Sequence, residues 1–154
     1  MSVHFNSNSS QPILPEQKLL KEWIQVIIKN HNKQLGRLNY LFCNDEDIYN
    51  TNLQYLNHDT YTDIITFDYV EGNVISGDIL ISIDRVGDNA KSLNVPFEQE
   101  LCRVIIHGVL HLLGYKDKSV EESTLMRQKE NESLAIFDTM KSQRFHVEHS
   151  IISL

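Results

Sequence analysis

Cysteine is almost missing from this chain: Cys43 and Cys102 are the only two, far apart and each set among apolar residues. That is too little for a disulfide scaffold, so both read as small buried side chains in a protein of a reducing compartment. Long apolar runs are missing as well. None approaches the roughly 20 residues that a membrane-spanning helix needs, so no membrane partner is expected. The opening segment MSVHFNSNSSQPILPEQ lacks a basic start followed by an apolar stretch, and it does not read as a secretory leader. The expected location is cytoplasmic. There are no repeats, low-complexity tracts or internal linkers. Basic residues are scarce, 14 Lys and Arg against 21 Asp and Glu, for a formal net charge of −7. Proteins of nucleic acids usually carry a basic footprint, so the overall balance weighs mildly against such a partner. A local basic patch or a bound cation can still create a positive cleft on an acidic protein.

What is present is an ordinary globular composition, 41% apolar and 23% charged, in 154 residues. The length suits one domain, 1–154, with a real core. Residues 1–12 are expected to be loose, and the Asn, Ser and Pro of 6–15 read as a turn-rich lead-in. Residues 15–31 place Leu19, Leu20, Trp23, Ile24, Ile27 and Ile28 at helical spacing with one apolar face. Residues 38–43 read as a strand. Asn44 and Asp45 can cap a helix to about residue 56. Residues 62–70 and 78–83 read as two strands, paired around the turn Glu71-Gly72-Asn73. A short helix is expected over 84–93. Asn94 and Pro96 announce another, which runs to about Leu113 and stops at Gly114. A last helix spans 119–140. The segment 142–154 reads as loose chain or, from Arg144, as a strand. About five helices with about four strands predict an α+β fold, a small mixed sheet with helices packed on it.

The chemistry concentrates in H-G-V-L-H-L-L-G-Y-K-D-K, residues 107–118. His107 and His111 are four apart, so on a helix both imidazoles leave the same face. Two histidines on a rigid helix make a preorganised pair of nitrogen ligands. Gly114 lets the chain turn out of the helix and carry Asp117 back toward the rings. Three ligands on one side of a metal leave positions for water or substrate, the arrangement of a catalytic site rather than a structural one. The helix itself is apolar nearly all round, and buried histidines need partners for their ring nitrogens. The bland alternative satisfies both histidines with core hydrogen bonds and leaves Asp117 in a solvated turn between Lys116 and Lys118. It suits any one of the three residues better than all three at this spacing. Two nitrogens and one carboxylate suit zinc, with nickel, cobalt, manganese and iron as other divalent candidates.

The offsets of the two histidines and the glycine also match the metzincin protease signature. Those enzymes carry Glu directly after the first His as general base. Here that position is Gly108, so a peptidase would lack its proton acceptor. Met126 lies on an expected helix and does not read as a supporting Met-turn.

H-G-V-L-H-L-L-G-Y followed by an acidic residue closely resembles the metal-site signature of the YbeY family, single-domain metal-dependent endoribonucleases of bacterial ribosomal RNA maturation. Thr62-Asp63-Ile64-Ile65-Thr66-Phe67 resembles the family's T-D-V-L-S-F strand, and Gly77-Asp78-Ile79 its G-D-I strand. Pro96 to Glu100 and Met126 also fit, so the resemblance covers about residues 38–130. It implies a single-strand-specific, zinc-dependent endoribonuclease, acting on ribosomal RNA and ribosomal particles in small-subunit maturation and ribosome quality control. His107 and His111 match the first two family ligands. The third is usually His, and here it is Asp117, an acceptable zinc ligand that would make the ion a weaker Lewis acid. The family also places an arginine before the T-D-V-L-S-F strand, where this chain has Leu56. A phosphate-contacting cation must then come from elsewhere, and His58, Lys116 and Lys118 are near in sequence. Metal-assisted phosphodiester cleavage is the expected mechanism, with no general base among the ligands. Glu100 reads as a solvated first-turn glutamate, and Asp63 and Asp78 as strand-end residues. The alternative is a ribosome-assembly factor with a structural metal site and little nuclease activity. A monomer is the expected state.

Overall fold

The computed structural model describes residues 2–8, 12, 14–56 and 62–152, with side chains as far as Arg144. In chain order the elements are β1 (Ser2–Ser7), α1 (Gln17–Asn30), β2 (Gln34–Cys43), α2 (Asp45–Leu56), β3 (Ile64–Asp68), β4 (Val74–Ser82), α3 (Ile83–Leu93), α4 (Phe97–Leu112) and α5 (Val120–Ile152). The four strands form one sheet in the order β1-β2-β4-β3. β1 and β4 run parallel to β2, with Val3 opposite Leu38 and Tyr40 opposite Ile79. β3 is antiparallel to β4, with Ile65 opposite Leu80. This is the expected α+β fold with a mixed sheet.

Both chain ends depart from expectation. Within 1–12, Ser2–Ser7 is not loose but adds an edge strand hydrogen-bonded to β2, while residues 1 and 9–11 lie outside the described residues. Asn6 and Ser7 therefore belong to the sheet and not to a turn. From 142 to 152 the chain is neither loose nor a strand but a continuation of α5. Asn94 does not begin α4. It closes α3 in a left-handed conformation, φ 56°, that asparagine tolerates better than most residues.

Alternation along β4 divides the core. Ile75, Ile79 and Ile81 join the main cluster with α1, α4 and α5, while Leu80 and Ile65 pack with Ile48 of α2 on the other face. The helix α4 lies hard on the sheet. A Cβ at Gly108 would sit 3.0 Å from the Ile79 Cδ1 and 3.1 Å from the Ile64 Cδ1. Tyr40, fully buried, donates its hydroxyl to the Ile105 carbonyl at 2.9 Å, pinning α4 over β2. Trp23 of α1 donates Nε1–H to the Ser133 carbonyl of α5 at 2.8 Å and packs on Phe137 at 4.6 Å between ring centroids. These contacts fix α5 across the outer side of α4, one helical turn from where it meets the histidine face.

Candidate metal centre

Gly108 is buried against the sheet, and His107 and His111 leave α4 beside it, on a neighbouring strip of the helix that is only partly covered. Their rings meet edge to face with centroids 4.5 Å apart. The helix ends in a Schellman closure: Gly114, at φ 106°, donates to the His111 carbonyl and Tyr115 donates to the Leu110 carbonyl, both at 3.0 Å. The returning loop is tied at its far end by a capping box, in which Ser119 Oγ accepts from the Glu122 N–H and Glu122 Oε1 accepts from the Ser119 N–H. Held at both ends, the loop brings Asp117 Oδ2 to 3.3 Å from Nε2 of His107 and 3.3 Å from Nε2 of His111. One ligand atom from each of the three residues lies within 4.8 Å of the other two.

The inner nitrogens explain this convergence. His107 donates from Nδ1 to Glu130 Oε2 at 2.6 Å, and His111 donates from Nδ1 to the Tyr115 carbonyl at 3.0 Å. A carbonyl can only accept, and so can an ionised carboxylate, so each neutral ring carries its proton on Nδ1 and turns a lone pair outward from Nε2. Two lone pairs and a carboxylate oxygen then face one another, an arrangement that a cation relieves. The spacing also fits. Metal–ligand bonds of about 2.0–2.1 Å at tetrahedral angles put ligand atoms roughly 3.3 Å apart. The three residues therefore suit a small divalent ion, and the groups behind them orient the rings as metal-bound histidines generally require.

Glu130 was not found from the sequence. It stands 23 residues from His107, on another helix, in a charged stretch that reads as solvated. In the fold it is buried, at 2% exposure, and accepts from Arg103 Nη1 at 3.1 Å as well as from His107. Burial pushes its carboxyl up, but the His107 hydrogen bond and the Arg103 charge outweigh it and hold the group below the usual range. Arg103 also chelates Glu100, with Nε on Oε1 at 2.8 Å and Nη2 on Oε2. Burial works against the Arg103 charge, yet the two glutamates hold its pKa above the ordinary value. Glu100 is thus not the expected solvated first-turn residue. It is 1% exposed and spent on an ion pair. The motif S-x-x-E at 119–122 was a legible signal for the start of α5, but nothing local marked the inward face of that helix.

The other sequence candidates fall around this cluster. Leu56 and Lys118 line a cavity of about 590 Å³ beside His111, along Ile64 and Thr66 of β3. Lys116 is exposed and His58 lies outside the described residues. Asp78 is not at a strand end but in the middle of β4, where it accepts from Asn39 Nδ2 of β2 at 3.1 Å. Asp63 accepts from Asn89 Nδ2 at 3.3 Å and stands 3.9 Å from Arg103 Nη2. It also lines a smaller cavity, about 240 Å³, with His107, Asp117, Arg103 and Arg127. Met126 is buried under that cavity and belongs to the core.

Comparison with known proteins places these features among relatives. The family model described as Endoribonuclease YbeY matches residues 4–138. The chain is 52% identical over 135 residues to the endoribonuclease YbeY of Flavobacterium johnsoniae, covering 88% of this chain and 96% of the relative. It is 56% identical to that of Flavobacterium psychrophilum at the same coverage. Among solved structures it resembles the protein TM1509 of Thermotoga maritima, studied in solution, with a TM-score of 0.61, 29% identity, and 92% of this chain and 95% of the other covered.

Proposed function

Because the chain belongs to the YbeY family of endoribonucleases, we propose that it hydrolyses single-stranded RNA phosphodiesters, on ribosomal RNA and ribosomal particles during late small-subunit maturation and quality control, through a zinc ion held by His107, His111 and Asp117. The observation that carries this reading is the convergence of two outward lone pairs and one carboxylate oxygen at 3.3 Å, with both inner nitrogens already committed. Such an ion, when bound, supplies Lewis acidity toward a phosphate oxygen and a water of lowered pKa. The chain's part is to hold the two rings in one tautomer and one orientation and to keep the remaining side of the site open. Asp117, with its side chain 40% exposed, faces that open side. The whole chain acts as one domain, in the cytoplasm and as a monomer. Among the described residues no helix is long and apolar enough to cross a membrane.

A zinc peptidase is disfavoured by the seat of residue 108. Glycine supplies no carboxylate there, and the Cβ of any replacement would meet Ile79 and Ile64 at 3.0–3.1 Å. The test combines elemental analysis with RNA incubation. Purified protein should hold about one zinc per chain, lose it in His111→Ala, and cut single-stranded RNA until a chelator is added. If fully loaded protein leaves RNA intact while His107→Ala still impairs ribosome maturation in cells, the assembly-factor reading replaces this one. If no variant, wild type included, binds metal, the site itself is wrong.

A further inference from the structure

We propose that Arg127 binds a phosphate of the RNA strand next to the one at the histidine–aspartate cluster; this rests on the nuclease reading above. The smaller cavity beside the cluster contains two cations among the described residues, Arg103 and Arg127. They are in opposite states. Arg103 has its side chain only 15% exposed, with Nε and Nη2 on Glu100 and Nη1 on Glu130. Each of its three nitrogens already donates to a glutamate, and with the side chain mostly covered it offers the substrate little beyond its field. Arg127 has its side chain 53% exposed, and among the described residues its one ion pair is Nη1 to Glu130 Oε1 at 3.4 Å. That oxygen already accepts from Arg103 at 3.1 Å. A guanidinium has five N–H donors in a planar fork, suited to two oxygens of a phosphate, and most of those of Arg127 remain for a ligand.

Position and charge favour the same ligand. Arg127 stands one turn before Glu130 on α5, and Glu130 holds His107, so the arginine and the histidine are referred to one carboxylate. A group on Arg127 therefore lies in the same cavity as His107 and Asp117. Asp63, Glu100, Asp117 and Glu130 together outnumber the two arginines, in a chain of net charge −7. An anionic strand entering there needs an exposed cation, and Arg103 is not one. On the other side of the cluster the cavity wall carries Leu56, which can contact a sugar or base but not a phosphate, and Lys118, a point charge without the planar fork of an arginine.

The experiment measures binding of zinc-loaded protein to a labelled single-stranded 2′-O-methyl oligoribonucleotide, which resists cleavage, and in parallel the cutting of the unmodified oligomer. Arg127→Ala should weaken binding about tenfold or more, with the slope of log K against log salt reduced by about 0.7. Arg127→Lys should recover part of the affinity, since it restores the charge without the fork. Lys18→Ala removes the same charge from an exposed site in a groove between α1 and α5 and should change binding less than about twofold. Zinc content and the unfolding midpoint of Arg127→Ala should match wild type. The proposal is overturned if Arg127→Ala binds like wild type or like Lys18→Ala, if Lys118→Ala alone shows the loss, or if Arg127→Ala loses zinc. Wild type that binds the resistant oligomer but leaves the unmodified one uncut would sink the nuclease reading and leave Arg127 to be judged by binding. Wild type that binds no RNA overturns both.

Discussion

His107 and His111 sit one turn apart on the same face of α4 and present the same atom to the same aspartate, yet they are held by different kinds of support. His107 leans on a buried, ionised carboxylate from α5, and that carboxylate is itself braced by Arg103. His111 leans on the backbone carbonyl of Tyr115, four residues on, in the loop that ends its own helix. The Tyr115 ring is tied in turn. His31 donates Nδ1–H to the Ile27 carbonyl at 2.7 Å, which leaves its Nε2 to accept from the Tyr115 hydroxyl at 2.9 Å. One support is charged and long-range in sequence, and the other is neutral and local. A charged support raises ligand basicity and is easily removed by a side-chain change. A carbonyl cannot be removed that way and can only be shifted.

The largest expected effect strikes both histidines alike. Gly108→Glu forces a carboxylate against Ile79 and Ile64, where the Cβ alone already meets them at 3.0–3.1 Å. A cost of about 4–5 kcal/mol or more is expected from overpacking and an unpaired buried charge. Chemical denaturation should show it, and a stable variant with new peptidase activity would contradict the placement of this residue. Next comes Glu130→Gln, which touches only the His107 side. Zinc affinity should fall about 10–100-fold, and stability by about 2 kcal/mol through weakened bonds to Arg103. Competition with a chromophoric chelator measures the first, and unchanged affinity would mean that the carboxylate does not tune the ring.

Acid separates the two supports in the metal-free protein. The folded Glu130 carboxyl lies below its ordinary 4.5, because the bonds from His107 and Arg103 outweigh burial. Its contribution is therefore intact above about 4.5 and is lost as pH falls below that toward the folded value. Wild type should lose stability over this acid interval more steeply than Glu130→Gln, and parallel curves would contradict the assignment. The smallest effect belongs to the neutral side. Tyr115→Phe removes the His31 bond and should cost about 1 kcal/mol of stability, with zinc affinity changed by less than about fivefold. A loss as large as that of Glu130→Gln would show that the loop, and not the carboxylate, is the weaker support.

Much of this site was readable in residues 107–118 because its parts are local. The i, i+4 spacing, the apolar flanks, the glycine stop and the returning aspartate each follow from helix geometry over a dozen residues. The end of α5 was not readable in the same way. Residues 144–152 mix polar residues with Phe145, Val147, Ile151 and Ile152 at no clear period, and the helix there is only the extension of one begun at Val120. β1 was missed because an edge strand that buries Val3 but exposes its other face gives little pattern over six residues. Glu100 was misjudged because a first-turn glutamate is usually solvated, and only Arg103 beneath it makes burial tolerable.

By itself the sequence determined the helix, the two rings on one face of it, the aspartate that returns to them and the absence of a base at 108. All of these depend on residues within one or two helical turns, where the 3.6-residue repeat is decisive. The tertiary structure alone decided what stands behind and beside the rings. Glu130 and Arg127 come from a helix whose position is set by Trp23, Ser133 and Phe137, and Gly108 gains its meaning only from the two isoleucines of the sheet below it. Partners that far apart in the chain meet through packing, and packing depends on the whole core rather than on any local spacing.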